Sequence, residues 1–312
     1  MKNDRALAYL AFATVCIVWG TTYLAIRIAV ETMTPMLLTG ARFTAAGVIL
    51  LAIALLRGES VPRDRRVLRD VVIVGVLLVC VGNLAVVWAE QWVPSGIAAL
   101  LVATAPFWAV ILEAMRRGGD RIRLRGAIGM LIGFIGVALL VTPSGAGNAF
   151  DPHFILGALA IQVGCFCWQF GTMHSKSRLS GIPPLTSSGL QMLAGGVIVG
   201  AVGFATGEAH RFSATPRTLG ALLYLTLFGS VLGYTAFVYA VTTIRTTSLS
   251  LYAYINPVVA VILGWAILHE PLTKTAIGAM IVILAGLALS QSGRGARASV
   301  PAGDVPVIDR AA

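Results

Sequence analysis

Ten apolar stretches run through this chain, at about 7–30, 36–56, 71–91, 95–115, 125–142, 155–174, 184–205, 218–241, 247–268 and 274–291. Most approach the ~20 residues that a helix needs to cross ~30 Å of hydrocarbon. Membrane β-strands would be about half as long and would alternate in polarity. The pattern therefore predicts an all-α polytopic membrane protein with ten transmembrane helices. Charged residues make up 12% of the chain, about half the share of a soluble protein. A formal charge of +10 is compatible with nucleic acid as a partner, but the basic residues sit in short loops between apolar runs. There they act on topology and lipid headgroups, so the partner is a lipid bilayer and no nucleic acid is expected. Cys16, Cys80, Cys165 and Cys167 all lie within apolar stretches. They form neither a secreted disulfide framework nor a metal site. The first stretch follows a short basic start, as a signal peptide would. It is too long for a signal core and has no clear small-residue cleavage site, so it reads as a retained first helix. The tail, 292–312, is predicted to be disordered.

Lysine and arginine set the orientation. One set of alternate loops holds Lys2 and Arg5, five arginines between 57 and 69, and five between 116 and 125. It continues with Lys176, Arg178, Arg245, Arg294, Arg297 and Arg310, which makes eighteen. The opposite loops hold three, Arg211, Arg217 and Lys274. The positive-inside rule then puts both termini in the cytoplasm, as an even number of spans requires.

The chain also repeats itself. Pro-Phe-Trp-Ala-Val-Ile-Leu at 106–112 returns as Pro-Val-Val-Ala-Val-Ile-Leu at 257–263. Each copy puts a proline inside an apolar run, where it removes a backbone hydrogen bond and bends the helix. In lipid the freed carbonyl is tolerated only where a neighbour or a cavity satisfies it. Pro106 and Pro257 are therefore candidate hinges. Cys16-x-x-Trp19 matches Cys165-x-x-Trp168, and Ala127-Ile-Gly129 matches Ala276-Ile-Gly278. Five helices is an odd number, so the two halves, 1–146 and 147–291, must enter the membrane with opposite topology. Inverted repeats with broken helices in matching places are the architecture of many secondary transporters, with the binding site at the breaks.

Trp19-Gly-Thr-Thr-Tyr-Leu-Ala-Ile-Arg27, with Gly40-Ala-Arg42-Phe43 after it, resembles the opening signature of the EamA family in the drug/metabolite transporter superfamily. Pro257 with Leu268-His-Glu270-Pro-Leu is similar to the proline and terminal glutamate of that family's second repeat. The segment from Val81-Gly-Asn83 to Val93-Pro-Ser-Gly-Ile-Ala98 is similar to a subgroup of bacterial inner-membrane exporters. The resemblance spans about residues 7–290. It implies two inverted EamA repeats around a central cavity lined mainly by helices 1, 3, 4, 6, 8 and 9, in the bacterial inner membrane. One departure stands out: Gly119-Asp120-Arg121 replaces the family's glutamate after the fourth stretch, which puts a first-half role for that acid in doubt.

Depth, taken at ~1.5 Å per residue from each helix end, selects the candidate substrate-binding residues. They are Trp19, Thr22, Asn83, Trp88, Trp108, Gln162, Trp168, Ser230, Tyr234, Tyr254 and Asn256. Buried amides and hydroxyls need partners or water. Each one alone reads equally as helix-to-helix bonding; their convergence on the helices with the breaks favours a cavity. Such an apolar, aromatic pocket suits small amphipathic metabolites, amino acids or drugs. It does not suit a highly charged phosphate, which would demand a midplane basic cluster. Arg27, Arg42 and Glu90 lie nearer the outer face and form a candidate gate, or a static structural cluster. Gly129-x-x-x-Gly133 permits close helix contact, either within the chain or at a homodimer seam. No HExxH, GxSxG or midplane aspartate pair is present, so neither an enzyme nor a cofactor or metal is expected. The expectation is an exporter that works by alternating access, with a membrane scaffold as the other class.

Overall fold

The computed structural model describes residues 2–116, 122–140, 151–243 and 252–292. Its regular structure is helical throughout, with no strand among the described residues. The long helices are α1 (Lys2–Ala29), α2 (Pro35–Leu56), α3 (Arg65–Ala89), α4 (Ser95–Met115) and α5 (Leu124–Leu140). After them come α6 (Pro152–Arg178), α7 (Pro184–Ala205), α8 (216–243), α9 (Tyr252–Leu268) and α10 (Lys274–Ser292). Eight of these are long and apolar enough to cross a membrane; α5 and α9 are shorter apolar helices. Ser292, the first residue of the predicted tail, ends α10; residues 293–312 and residues 247–251 of the ninth stretch lie outside the described residues, as does the Gly119–Arg121 departure.

Several helices extend past the apolar stretches. α3 starts at Arg65, not near 71, because the Asp64 side chain accepts from Arg66 N–H and caps the helix six residues earlier. α6 continues to Arg178 on a polar final turn. Pro35, Pro152, Pro184 and Pro216 each open a helix, where the missing N–H costs nothing.

Two helix pairs pack at backbone distance. α2 lies along α7, where a Cβ on Gly40 would stand 2.6 Å from the Cα of Gly200. α5 lies along α10, where a Cβ on Gly129 would stand 2.6 Å from the Gly286 carbonyl. The glycine stripe of α5 is thus buried inside the chain; at its next turn Gly133 meets the Phe107 ring.

Carboxylates tie helix ends together between α2 and α7 and between α9 and α4. Glu208, after α7, accepts from the N–H groups of Met36 (3.0 Å) and Leu37 (3.1 Å) at the start of α2. Glu59, after α2, accepts from the hydroxyl (2.6 Å) and N–H (3.2 Å) of Thr186 at the start of α7. Glu270, after α9, accepts from Ser95 N–H (2.8 Å), Ser95 Oγ (3.0 Å) and Gly96 N–H (3.2 Å) at the start of α4. An acid at a helix N-terminus satisfies orphan donors and opposes the helix dipole.

Four helices are irregular at depth. α3 widens to a π-helix over Val76–Asn83, and α8 does the same over Leu225–Leu232. α4 breaks at 103–104, just ahead of Pro106, and α9 carries Pro257 inside it.

Candidate substrate cavity

The four irregular helices meet around one cavity of about 180 Å³. α3 brings Gly82 and Asn83 to its wall, and α8 brings Gly229 and Ser230. α4 supplies Ala103 and Pro106; α9 supplies Asn256 and Pro257. Widened turns leave carbonyls without their usual partners, and side chains answer them. Asn83 Nδ2 donates to Leu78 O, five residues back, at 3.1 Å. Trp19 Nε1 crosses from α1 to donate to Gly229 O at 3.2 Å. With its amide nitrogen turned towards α1, Asn256 reaches Cys16 O at 2.9 Å and Tyr252 O at 3.1 Å.

Aromatic rings make much of the remaining wall. Trp19 stands 5.2 Å from Phe237, 5.6 Å edge-on from Tyr252 and 6.2 Å from Tyr234. Tyr23, Phe43 and Trp168 also face the space. Thr22 lines it too, with its hydroxyl donating to Trp19 O at 2.6 Å.

Of the residues selected by depth, Trp19, Thr22, Asn83, Trp168, Ser230, Tyr234 and Asn256 line the cavity, as do Pro106 and Pro257. Trp88, Trp108, Gln162 and Tyr254 do not. Trp88 follows the lining residue Val86 by two positions, Trp108 follows Pro106 by two, and Tyr254 follows Tyr252 by two. Two residues turn a helix by about 200°, so each ring points away from the space. Trp88 packs at 4.8 Å from Trp92. Trp108 packs against Phe134 and Phe166. Tyr254 packs beside the cluster of Phe107, Met130 and Leu287. Gln162 shares a face with Cys165, but the α4 break claims it. Its oxygen accepts from Thr104 Oγ1 and Trp108 Nε1, both at 3.0 Å, and its nitrogen donates to Leu101 O at 3.2 Å.

The wall also holds residues that depth alone did not select. Tyr23, Ile26 and Val86 follow the helical spacing of Trp19 and Asn83, so periodicity could have found them. α2 and α7, left out of the expected lining, contribute Arg42, Phe43 and Met192. Nothing in their own sequence marked that rotation.

The expected outer cluster is built differently from a set of ion pairs. The Arg27 guanidinium donates to the main-chain carbonyl of Glu90, one of the acceptors left open where α3 ends. Arg42 Nε donates to Ser230 Oγ at 3.0 Å, and its guanidinium lies 4.6 Å from the Phe43 ring centre. Glu90 is fully buried, and neither carboxylate oxygen has a hydrogen-bond partner among the described residues. The charges within its electrostatic reach are Glu270, Arg27 and Arg42.

The profile of the EamA-like transporter family matches residues 6–142 and again 155–291. The uncharacterized inner membrane transporter YedA of Escherichia coli K12 is 38% identical over 281 residues, which cover 89% of this chain and 88% of YedA. An uncharacterized transporter of Archaeoglobus fulgidus is 26% identical over 85% of this chain and 92% of its own. A solved crystal structure of a protein superposes with a TM-score of 0.65 at 22% identity. It covers 91% of this chain and 96% of that one, and the likeness is one of fold.

Proposed function

The chain belongs to the EamA-like transporter family, and from that premise we propose that it exports small amphipathic molecules across the bacterial inner membrane by alternating access. The observation that carries this reading is the meeting of all four irregular helices at one aromatic cavity. A membrane scaffold has no need of four broken helices around one space, whereas a carrier needs a site that two rigid halves can expose in turn.

The two halves are 1–146 and 147–291, inverted repeats of five spans each, with both termini cytoplasmic. Supporting this, the π-helical segments begin at Val76 and Leu225, 149 residues apart. Glu59 and Glu208, also 149 apart, cap each other's partner helix. Trp19, Thr22, Asn83, Trp168, Ser230, Tyr234 and Asn256 form the substrate site, and Pro106 and Pro257 are the hinges. Arg27, Arg42 and Glu90 form the gate at the end where α3 turns into α4. Opening there must part Arg27 from the Glu90 carbonyl and Ser95 from Glu270.

Cysteine accessibility tests the site. In a background without the native cysteines, single cysteines at Trp19, Asn83, Trp168, Tyr234 and Asn256 should react with a small water-soluble reagent. Cysteines at Trp108 and Tyr254 should stay inert. Labelling that fails to separate these two groups would point to a packed bundle without a common cavity.

A further inference from the structure

Among the described residues, the cavity wall carries one charged side chain, Arg42, and no acid. Arg42 is itself 6% exposed, and its one hydrogen bond among the described residues uses Nε, which donates to Ser230 Oγ at 3.0 Å. Ser230 is 1% exposed, so this arm of the guanidinium is fixed. A guanidinium keeps its charge in a dry site and offers five N–H donors in a planar fork. Four of those donors, on the two terminal nitrogens, have no hydrogen-bond partner among the described residues. One terminal nitrogen sits over Gly229, where a Cβ would stand 3.2 Å away.

Among the described residues no acid hydrogen-bonds to Arg42. Arg27 and Arg42 contribute two positive charges near Glu90. Glu90 offers one negative charge, but its oxygens bond to neither arginine. Glu270 is held by three hydrogen bonds at the start of α4, where the positive end of the helix dipole answers its charge. The four formal charges cancel in number, but neither acid bonds to Arg42, so among the described residues no carboxylate meets its terminal nitrogens.

We infer that Arg42 is the recognition group for the carboxylate of the transported molecule, and that the substrates are monocarboxylates with an apolar or aromatic body. This rests on the cavity being the transport site. A carboxylate takes the open edge of a guanidinium through parallel N–H···O bonds. Trp19, Phe43, Trp168 and Tyr234 give the apolar body its contact. A single cation leaves a phosphate dianion undercompensated, and a cationic ligand would meet Arg42 with no acid on the wall to answer it.

The test uses the purified full-length chain, with Val86→Cys, on the cavity wall but outside the proposed substrate site, in a cysteine-free background as the reporter. Protection from labelling is titrated with phenylacetate, phenylacetamide, phenethylamine and phenyl phosphate, and with the hexanoate, hexanamide and hexylamine set. The acids should protect at concentrations about tenfold or more below their amides, as expected for a charge-assisted pair. The amines and phenyl phosphate should protect least. Arg42→Gln should abolish the advantage of acid over amide, while Arg42→Lys should keep part of it. Equal protection by acid and amide, preference for an amine or the phosphate, or no protection at a cysteine that labels would each overturn the inference and leave the cavity standing. A reporter cysteine that does not label at all would overturn the cavity reading and this inference with it. If Arg42→Gln fails to accumulate, the acid-to-amide ratio in the unsubstituted background decides the matter alone.

Discussion

Gln162 shows how a residue can carry the right chemistry and do a different job. An amide at mid-depth was expected to face substrate. In the fold it spans the break in α4, accepting from Thr104 and Trp108 and donating to Leu101 O. A broken helix inside an apolar bundle needs such a partner, since each stranded polar group costs about 1–3 kcal/mol. Gln162→Ala would strand the Trp108 indole N–H and take one donor from Leu101 O. We expect a clear fall in the melting temperature of the purified protein; an unchanged melt would remove Gln162 from this role. The misplaced aromatics have a simpler cause. Depth along a helix follows from counting residues, but rotation about its axis does not. Trp88, Trp108 and Tyr254 lie at the right level on the wrong face. Tyr23 and Tyr252 lie on the right one.

At the level of helices, the bundle is held by close backbone contact and reciprocal capping. Glu59 serves α7 and Glu208 serves α2. Neither acid belongs to a local motif of the helix it caps, because the partners are 127 and 171 residues away. Glu59→Ala and Glu208→Ala should each lower stability by about 0.5–2 kcal/mol. The two acids sit at opposite ends of α2, so the losses should add in the double variant. Thermal melts of the two single variants and the double variant check this; a double variant no worse than either single would show that the caps act as one unit. The irregular turns tell a similar story. Proline marks two of the four breaks in the sequence, at 106 and 257. The π-helical segments of α3 and α8 carry no proline, and their composition reads as ordinary apolar helix. Their wide turns form where Asn83 and Trp19 stand ready to donate to the loosened carbonyls.

For the molecule as a whole, the charge bias makes a topological prediction. A reporter fused after residue 150 should read outside the cytoplasm, and one fused after residue 180 should read inside; reversal at either point would break the scheme of ten inverted spans. The sequence by itself determined the solvent, the helical class, the family and the existence of a duplication, because these follow from the length, apolarity and spacing of segments. It also located the depth of the cavity, since polar and aromatic residues at mid-helix are legible one helix at a time. Only the tertiary structure decided which faces meet. It brought Arg42 and Phe43 of α2 and Met192 of α7 to the wall, turned Gln162 into a brace, and left both oxygens of Glu90 buried without a hydrogen-bond partner among the described residues. The physical reason is that in lipid a regular helix satisfies its own backbone, so sequence fixes most of each helix separately. Their mutual rotation is settled by small residues, such as Gly40 against Gly200, that let two backbones touch.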